Sequence, residues 1–269
     1  MKRRISWILV LAMLLLPVLA GCGGNQTDKT EEGDLLARIR AKGEIVVAME
    51  GTWAPWTYHD EQDQLVGYDV EVATAIAAKL GVKATFVEGE WDGLLAGLDA
   101  GRYDIMVNGV DITPERAQKY DFSTPYAYNR TAVVTLSDNT SITKMEDLKG
   151  KTTANTISST YAEVAEKYGA TVTGVDDLEQ TFELLLSGRI DATLNAEVTF
   201  NDYQKAHPDA PIKVAVFDPD VTQVAIPMRK GDDSATLLAA VNQALAEMAE
   251  SGELSALSEK YFGMDISKN

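Results

Sequence analysis

The sequence predicts an α/β fold made of two similar units. Short runs rich in β-branched residues alternate with helical runs between residues 44 and 195, a pattern typical of strands and helices in stacked layers. The second observation is a self-match, in which GLDAGRYDIMVN at 97–108 recurs as LLLSGRIDATLN at 184–195. Glycine ends many helices, so the match fits either a repeat or the common chemistry of a helix–strand junction. Both interpretations give two βαβ units with mostly parallel strands.

Each unit is predicted to alternate strands with helices. The first contains strands 44–49, 83–87 and 103–108 and helices that start at the N-cap Asp69 and at Trp91 and stop at Gly81 and Gly101. The second contains strands 151–156, 171–174 and 190–195 and helices 160–168 and 177–187. Ligands of open α/β sheets bind beyond the carboxyl ends of the strands, so Asn108 and Asn195 are predicted to lie at binding edges.

Composition excludes several classes of function. The 269 residues are 45% hydrophobic and 24% charged, which is ordinary for a globular protein. With 24 Lys and Arg against 41 Asp and Glu, the net charge is -17, so nucleic acid is not a predicted partner. One cysteine and two histidines are too few for a disulfide framework, a zinc cluster or a Cys-His nucleophile. No catalytic residue, metal site or cofactor is predicted.

The N-terminus has the pattern of an export signal. Three basic residues precede an apolar run from Ile5 to Ala20, which is shorter than the ~20 residues that a helix needs to cross a bilayer. Residues 1–21 are therefore predicted to be a signal peptide. The run ends in Leu-Ala-Gly-Cys, which resembles the lipobox of bacterial lipoproteins and implies a lipidated Cys22 that anchors the protein outside the cytoplasm. An ordinary signal peptide with an incidental cysteine is the alternative. Residues 22–35 are predicted to form a flexible tether.

A second helix start indicates where an anion could bind. Thr113 followed by Pro114 is typical of an N-cap and a first helical residue. Arg116 then occupies the first turn, where the positive end of the helix dipole disfavours a cation unless an anion is present. Together with free backbone N–H groups, its guanidinium would make a carboxylate receptor. The alternative is that Arg116 pairs with Glu115 or Asp121 on a solvated surface.

Several longer segments resemble one family. GYDVEVATAIAAKLG at 67–81, WDGLLAGLDAGRYDIMVNGVDITPERAQKYDFSTPY at 91–126 and GRIDATLN at 188–195 are similar to the bacterial extracellular solute-binding proteins of family 3. These proteins are polar amino acid receptors of ABC importers. The resemblance extends from about residue 36 to the C-terminal YFGMDI. GTWAPWTYHD, WDGLLAGLDAGRYD and DATLNAEVTFNDYQKAHPDA look most like the cystine or cysteine branch.

The resemblance implies an architecture and partners. The fold would be a two-lobed clam of the type II periplasmic-binding-protein class with two hinge crossings near 129–136 and 217–227. Lobe 1 would comprise 36–128 plus 224–269, and lobe 2 would comprise 129–223. Such a protein is a monomer that traps a free polar amino acid between its lobes and delivers it to a membrane permease.

The resemblance also implies which side chains contact the ligand. Arg116 matches the arginine that grips the ligand α-carboxylate, Ser158–Thr160 would complete that site from lobe 2, and Trp53 with Trp56 would cover the ligand side chain. Core packing is the alternative for Trp56 and Trp91. The full set of implied ligand-binding positions, Arg116 aside, is Glu50, Trp53, Trp56, Trp91, Gly109, Asp111, Ser158, Ser159 and Thr160.

One position departs from the family pattern. The family commonly binds the ligand ammonium with an aspartate just after the residue that ends the lobe 2 strand, and here that residue is Ala196. Glu197, Asp111 or Glu50 could supply the missing carboxylate, and a surplus of acids would also suit a cationic side chain.

The same scaffold also carries enzymes, so an extracytoplasmic cyclohexadienyl dehydratase is the alternative function. An enzyme would need an acid or base beside the bound substrate. The predicted lipid anchor favours the receptor, because a tethered receptor stays close to its permease.

Overall fold

The computed structural model describes residues 34–269. The predicted signal peptide, the predicted lipidation of Cys22 and nearly all of the predicted tether lie outside these residues. Within 34–269, no helix combines the length and apolarity needed to cross a membrane.

Helices and strands alternate along the described chain. The helices are α1 (Leu35–Lys42), α2 (Tyr68–Leu80), α3 (Trp91–Asp99), α4 (Pro114–Lys119), α5 (Thr160–Lys167), α6 (Leu178–Leu186), α7 (Glu197–Ala206), α8 (Ala235–Ser251) and α9 (Glu253–Phe262). The strands are β1 (Glu44–Met49), β2 (Thr52–Trp53), β3 (Thr57–His59), β4 (Leu65–Val66), β5 (Lys83–Glu88), β6 (Ile105–Met106), β7 (Tyr120–Phe122), β8 (Ala127–Leu136), β9 (Thr152–Asn155), β10 (Thr171–Gly174), β11 (Thr193–Ala196), β12 (Ile212–Val224) and β13 (Pro227–Arg229).

A five-stranded sheet forms the centre of one half of the molecule, here called lobe 1. Its order is β5-β1-β6-β13-β7, with β1 parallel to β5 and β6 and with β13 antiparallel to β6 and β7. Helix α2 packs on β5, α8 and α9, and α3 packs on β1 and β6. Ile45, Val47, Ile76 and Leu245 are buried in the core that these elements share. Because α8 and α9 end the chain, lobe 1 is built from both ends of the described sequence.

Two smaller sheets form the other half, here called lobe 2. Strands β11-β8-β12 are antiparallel, and β10 pairs in parallel with β9. Helices α5 and α6 pack against these strands, and α7 packs against β8 and β11. The buried side chains of Phe182, Leu185 and Ile190 belong to a separate apolar cluster of this lobe.

The chain crosses between the lobes twice, along paired strands. It leaves the lobe 1 sheet after β7 and enters lobe 2 along β8, and it returns along β12 to β13. Strands β8 and β12 are antiparallel, and Tyr126 N–H donates to the carbonyl of Val224 at 2.9 Å, where β8 begins and β12 ends. The expectation of mostly parallel strands therefore holds for β5-β1-β6 and β10-β9 but not for the crossing strands. The predicted residue limits of the lobes stay a prediction.

The self-matching segments make equivalent hydrogen bonds in the two lobes. Asp104 accepts a hydrogen bond from Val46 N–H at 2.8 Å, and Asp191 accepts one from Thr152 N–H at 2.8 Å. In each lobe the repeated aspartate thus accepts from a backbone donor of another strand, β1 in lobe 1 and β9 in lobe 2. This equivalence favours the repeat interpretation.

The prediction of Asp69 as a helix N-cap is wrong. Helix α2 begins at Tyr68 with Gly67 as its N-cap and without a side-chain cap. The Asp69 side chain is fully buried and accepts hydrogen bonds from Gly109 N–H and the Tyr126 hydroxyl, both at 2.7 Å. Sequence spacing missed this role because both partners are at least 40 residues away in the chain. Asp69 therefore fixes the loop after β6 instead of the helix start.

Candidate functional site

A cavity lies between the two lobes at the ends of strands β1, β6, β9 and β11. Lobe 1 contributes side chains that follow β1 and β6 and the start of α3, and lobe 2 contributes the loop before α5 and the start of α6. The lining residues are Glu50, Trp53, Trp91, Gly109, Asp111, Arg116, Asn155, Thr156, Ser159, Thr160, Tyr161, Asp177, Leu178, Thr181 and Asn195. The lining therefore combines aromatic and apolar surface with charged and hydroxyl groups, as ligand-binding clefts commonly do.

Arg116 is the basic residue of this wall. The predicted helix start is confirmed, since Thr113 Oγ1 accepts a hydrogen bond from Arg116 N–H at 3.1 Å and Pro114 opens α4. The side chain is only 6% exposed, so it does not lie on the solvated surface that the alternative interpretation requires. Its guanidinium lies over the Trp91 ring, 5.3 Å from the centroid. Burial lowers the pKa of Arg116, and the nearby Asp111 carboxylate opposes that shift.

The protein itself uses only some of the N–H donors of the Arg116 guanidinium, called here the Arg116 fork. Nη1 donates to the carbonyl of Asp111 at 3.1 Å, and Nη2 donates to the carbonyl of Ser158, in lobe 2, at 3.0 Å. A guanidinium has five N–H donors. The remaining donors suit a carboxylate that lies in the cavity.

Three carboxyl groups line the same cavity as this single cation. Asp111 is 3% exposed and accepts hydrogen bonds from Thr160 Oγ1 at 2.5 Å and from Thr222 Oγ1 at 2.6 Å. Burial raises its pKa, while these hydroxyls and Arg116 lower it. Asp177 caps α6 by accepting from Gln180 N–H at 2.9 Å.

Glu50 is the third carboxyl group. Its side chain accepts a hydrogen bond from Asn108 Nδ2 at 2.6 Å, and Asn108 Oδ1 accepts one from Glu50 N–H at 2.7 Å. Burial raises the pKa of Glu50 to about 7, and the neighbouring negative charges of Asp177 and Asp92 act in the same direction. Acids in this arrangement favour a ligand that brings positive charge.

Aromatic rings form the rest of the wall. Trp53 stacks on Trp56 with ring centroids 5.2 Å apart and meets Tyr161 edge-on at 6.5 Å. Trp56 is fully buried behind Trp53 and packs on Phe262, so core packing, its alternative interpretation, describes its position. Gly109 has φ +54°, and a Cβ there would lie 2.5 Å from the Trp53 ring. Only glycine therefore fits between the loop after β6 and this ring.

Contacts between the lobes surround the cavity. Trp53 Nε1 donates to Asn195 Oδ1 at 3.2 Å, and Thr160 donates to Asp111. Ser159 is the N-cap of α5, where its hydroxyl accepts from Ala162 N–H at 3.2 Å. The predicted hydroxyl loop thus meets lobe 1 beside Arg116.

The structure does not bring every predicted residue into the lining. Glu197 lies outside it and forms an ion pair instead, in which Arg130 Nε and Nη2 donate to both of its carboxylate oxygens at 2.9 and 2.8 Å. Asn108 lies behind Glu50, and Trp56 and Ser158 also do not line the cavity. Sequence reasoning missed six lining residues, all in lobe 2: Asn155, Thr156, Tyr161, Asp177, Leu178 and Thr181. The predicted strand end near 156 and helix start at 177 were the only local signals for them.

Two buried polar atoms of the lining have no hydrogen-bond partner among residues 34–269. These atoms are the indole Nε1 of Trp91 and the amide Oδ1 of Asn155. Buried polar groups are normally paired, so both are suited to a polar ligand. Within the same residues, no cluster of three or more His, Cys, Asp or Glu side chains is arranged to hold a metal ion.

Comparison with known proteins gives a consistent match over the described chain. A model of the bacterial extracellular solute-binding proteins, family 3, matches residues 45–264. The L-cystine-binding protein TcyA of Bacillus subtilis (strain 168) is 41% identical over 267 residues, which cover 97% of this chain and 98% of that protein.

Solved structures match over similar lengths. The L-cystine solute receptor of Neisseria gonorrhoeae, in the unliganded open conformation, is 41% identical and covers 88% of this chain and 100% of its own, with a TM-score of 0.61. The amino acid ABC transporter substrate-binding protein AbpA of Streptococcus pneumoniae Canada MDR_19A, bound to L-arginine, is 30% identical. The match covers 86% of this chain and 100% of that protein's chain, with a TM-score of 0.78.

Proposed function

Because this chain belongs to the bacterial extracellular solute-binding proteins of family 3, we propose that the cavity between its lobes captures a free amino acid for an ABC importer. It is a receptor and not an enzyme, in line with its relative TcyA, which is named as a binding protein. The dehydratase alternative has no comparable support. The observation that carries the proposal is that the buried Arg116 guanidinium and three carboxyl groups line one cavity.

The charges give the amino acid an orientation. Its α-carboxylate binds the free donors of Arg116 beside the hydroxyls of Ser159 and Thr160. Its α-ammonium binds Asp111, which lies next to Arg116 and replaces the carboxylate that Ala196 lacks. This assignment is supported by burial, because a buried carboxylate whose pKa is raised gains most from a cation at contact distance.

A second positive charge on the ligand accounts for the remaining acids. Glu50 and Asp177 come from different lobes and both line the cavity, and Glu50 is destabilised as an anion by Asp177. L-Cystine carries two ammonium groups and two carboxylates, and the lining offers the Trp91 indole N–H and the Thr156 hydroxyl as further donors. We therefore favour L-cystine, which the names of TcyA and the gonococcal receptor also support. L-Arginine is the second candidate, because its side chain also brings one cation to Glu50.

The lobe arrangement supports capture by closure. The TM-score is higher to the arginine-bound protein, at 30% identity, than to the open receptor, at 41% identity. The direct hydrogen bonds from Arg116, Thr160 and Trp53 across the cleft agree with a closed arrangement. A ligand that contacts both lobes stabilises the closed form by its different affinity for the two forms.

The setting of this receptor is the outside of the cytoplasmic membrane. We propose that Cys22 carries a lipid that anchors the mature chain there and that the protein works as a monomer beside its permease. The proposal rests on the Leu-Ala-Gly-Cys sequence after the apolar run.

The test is calorimetry on a lipid-free Cys22→Ser protein with L-cystine, L-cysteine, L-arginine and L-glutamine. We expect the tightest binding for L-cystine. Cys22 is the only cysteine in the sequence, so a reductant acts on the ligand alone, and dithiothreitol should abolish the L-cystine signal without changing the melting curve of the protein. Tighter binding of L-arginine would select the second candidate, and no binding of any amino acid would refute the proposal.

A further inference from the structure

A contact between the lobes lies outside the cavity lining. Asp92, in the first turn of α3, accepts two hydrogen bonds from Ser158, one from its hydroxyl at 2.6 Å and one from its backbone N–H at 3.2 Å. Both residues are exposed. Asp92 belongs to lobe 1 and Ser158 to lobe 2, and Asp92 does not line the cavity.

Ser158 is held by lobe 1 on two sides. Its N–H and hydroxyl are bound by Asp92, and its carbonyl is bound by Arg116 Nη2 at 3.0 Å. The next residue, Ser159, caps α5, and the one after it, Thr160, donates to Asp111. The position of Ser158 therefore fixes the loop that completes the carboxylate site.

From this arrangement we infer that Asp92 is a positioning residue that latches lobe 2 onto lobe 1 through Ser158 and sets how long a bound amino acid is retained. The inference rests on the proposed function for the identity of the ligand only. Hydrogen bonds to a carboxylate are stronger than bonds between neutral groups. Because they cross the cleft, they exist in the closed form and are lost when the lobes separate.

The latch acts mainly on dissociation. Ligand enters the open form, in which Asp92 and Ser158 are apart, so the association rate constant does not depend on their contact. Release requires reopening, and the latch must break before the ligand leaves. Removing it should raise the dissociation rate constant about ten-fold and leave the association rate constant within about two-fold.

The chain offers a matched control. Glu90 carries the same charge two residues earlier, is exposed, and its side chain makes no hydrogen bond among residues 34–269. Glu90→Ala therefore removes an equal charge from the same rim without removing the contact. Asp92→Asn keeps an oxygen acceptor without the charge, so its dissociation rate constant should lie between those of the native protein and Asp92→Ala. A variant that failed to fold would not give such an intermediate value.

Two measurements test the latch. Single-molecule FRET between dyes on Glu61→Cys in lobe 1 and Asp209→Cys in lobe 2, in a Cys22→Ser background, counts closed and open molecules with and without L-cystine. Asp92→Ala should lower the closed-to-open ratio about ten-fold in both conditions, and Glu90→Ala should leave it unchanged. Stopped-flow competition then gives the two rate constants.

The outcomes separate the latch from the proposed function. Equal ratios in Asp92→Ala and Glu90→Ala overturn the latch, and so does a Ser158→Ala effect that adds in full to that of Asp92→Ala, because coupled partners are not additive. If the proposed function is wrong, L-cystine and the other amino acids leave the closed fraction of the unsubstituted protein unchanged. In that case the ratio in buffer still decides the latch, with a fall in Asp92→Ala alone supporting it.

Discussion

Replacing Arg116 with alanine removes the single basic side chain from the cavity lining. Arg116 is 6% exposed, and its guanidinium donates to the carbonyls of Asp111 and Ser158, so its loss affects both the proposed ligand site and the contact between lobes. Truncating one partner of a buried, hydrogen-bonded charge pair costs about 2 to 5 kcal/mol. This range corresponds to affinity that is about 30-fold to several thousand-fold weaker.

The geometry of the Arg116 side chain predicts the order in which the variants bind L-cystine. Arg116→Lys keeps a cation but lacks the planar guanidinium that can bind a carboxylate through two parallel hydrogen bonds, so its affinity for L-cystine should fall between those of the native protein and Arg116→Ala. Arg102 provides the control, because it is exposed and does not line the cavity. Arg102→Ala should bind L-cystine with native affinity.

The assay is calorimetric titration of the four proteins with L-cystine, after circular dichroism has shown that each is folded. Native affinity in Arg116→Ala would refute the carboxylate assignment. Equal losses in Arg116→Ala and Arg102→Ala would show that net charge, and not the fork, controls binding.

Three further predictions concern pH, packing and anchoring. Because the folded pKa of Glu50 is raised from 4.5 to about 7, the unfolded chain ionises first, and the free energy of unfolding should fall as pH rises through this window. A cationic ligand prefers ionised Glu50, so its affinity should rise over the same window by up to about ten-fold per pH unit, and titrations of Glu50→Gln should show a flatter profile. Gly109→Ala places a Cβ 2.5 Å from the Trp53 ring and should lower stability by about 1 to 3 kcal/mol in urea unfolding, whereas Gly93→Ala, with open space at its Cβ, should not. Cys22→Ser should move the protein from the membrane fraction to the soluble fraction with its affinity intact, and retention in the membrane fraction would contradict the lipid anchor.

Local signals predicted the parts of the site that depend on neighbours in the chain. The N-cap Thr113 and Pro114 start α4 as expected, since a cap needs only a hydroxyl two or three residues from a free N–H. That start places Arg116 at a fixed position in the first turn, and its charge against the helix dipole pointed to an anion. The repeated Asp104 and Asp191 were likewise visible as a pattern, although their hydrogen bonds to distant strands were not.

Acidic residues show where local reasoning stops. Aspartate is a common N-cap residue, and Asp69 lies close to the start of α2. Its hydrogen-bond partners, Gly109 and Tyr126, nevertheless come from elements far along the chain. Glu197 was a candidate for the ligand ammonium, but Arg130 on β8 forms a two-point ion pair with it. A carboxylate forms an ion pair with a cation that the fold places beside it, and the order of residues in the sequence does not reveal which cation that is.

The sequence by itself determined the α/β class, the two related units, the helix start that places Arg116 and the resemblance to amino acid receptors, because these depend on periodicity, capping and motifs within short segments. Only the tertiary structure decided which acids line the cavity together with Arg116, that Asp177 and Tyr161 enter the lining from lobe 2, and that Asp92 meets Ser158 across the cleft. Such contacts join residues tens of positions apart, and their geometry is set by how β8 and β12 carry the chain between the lobes.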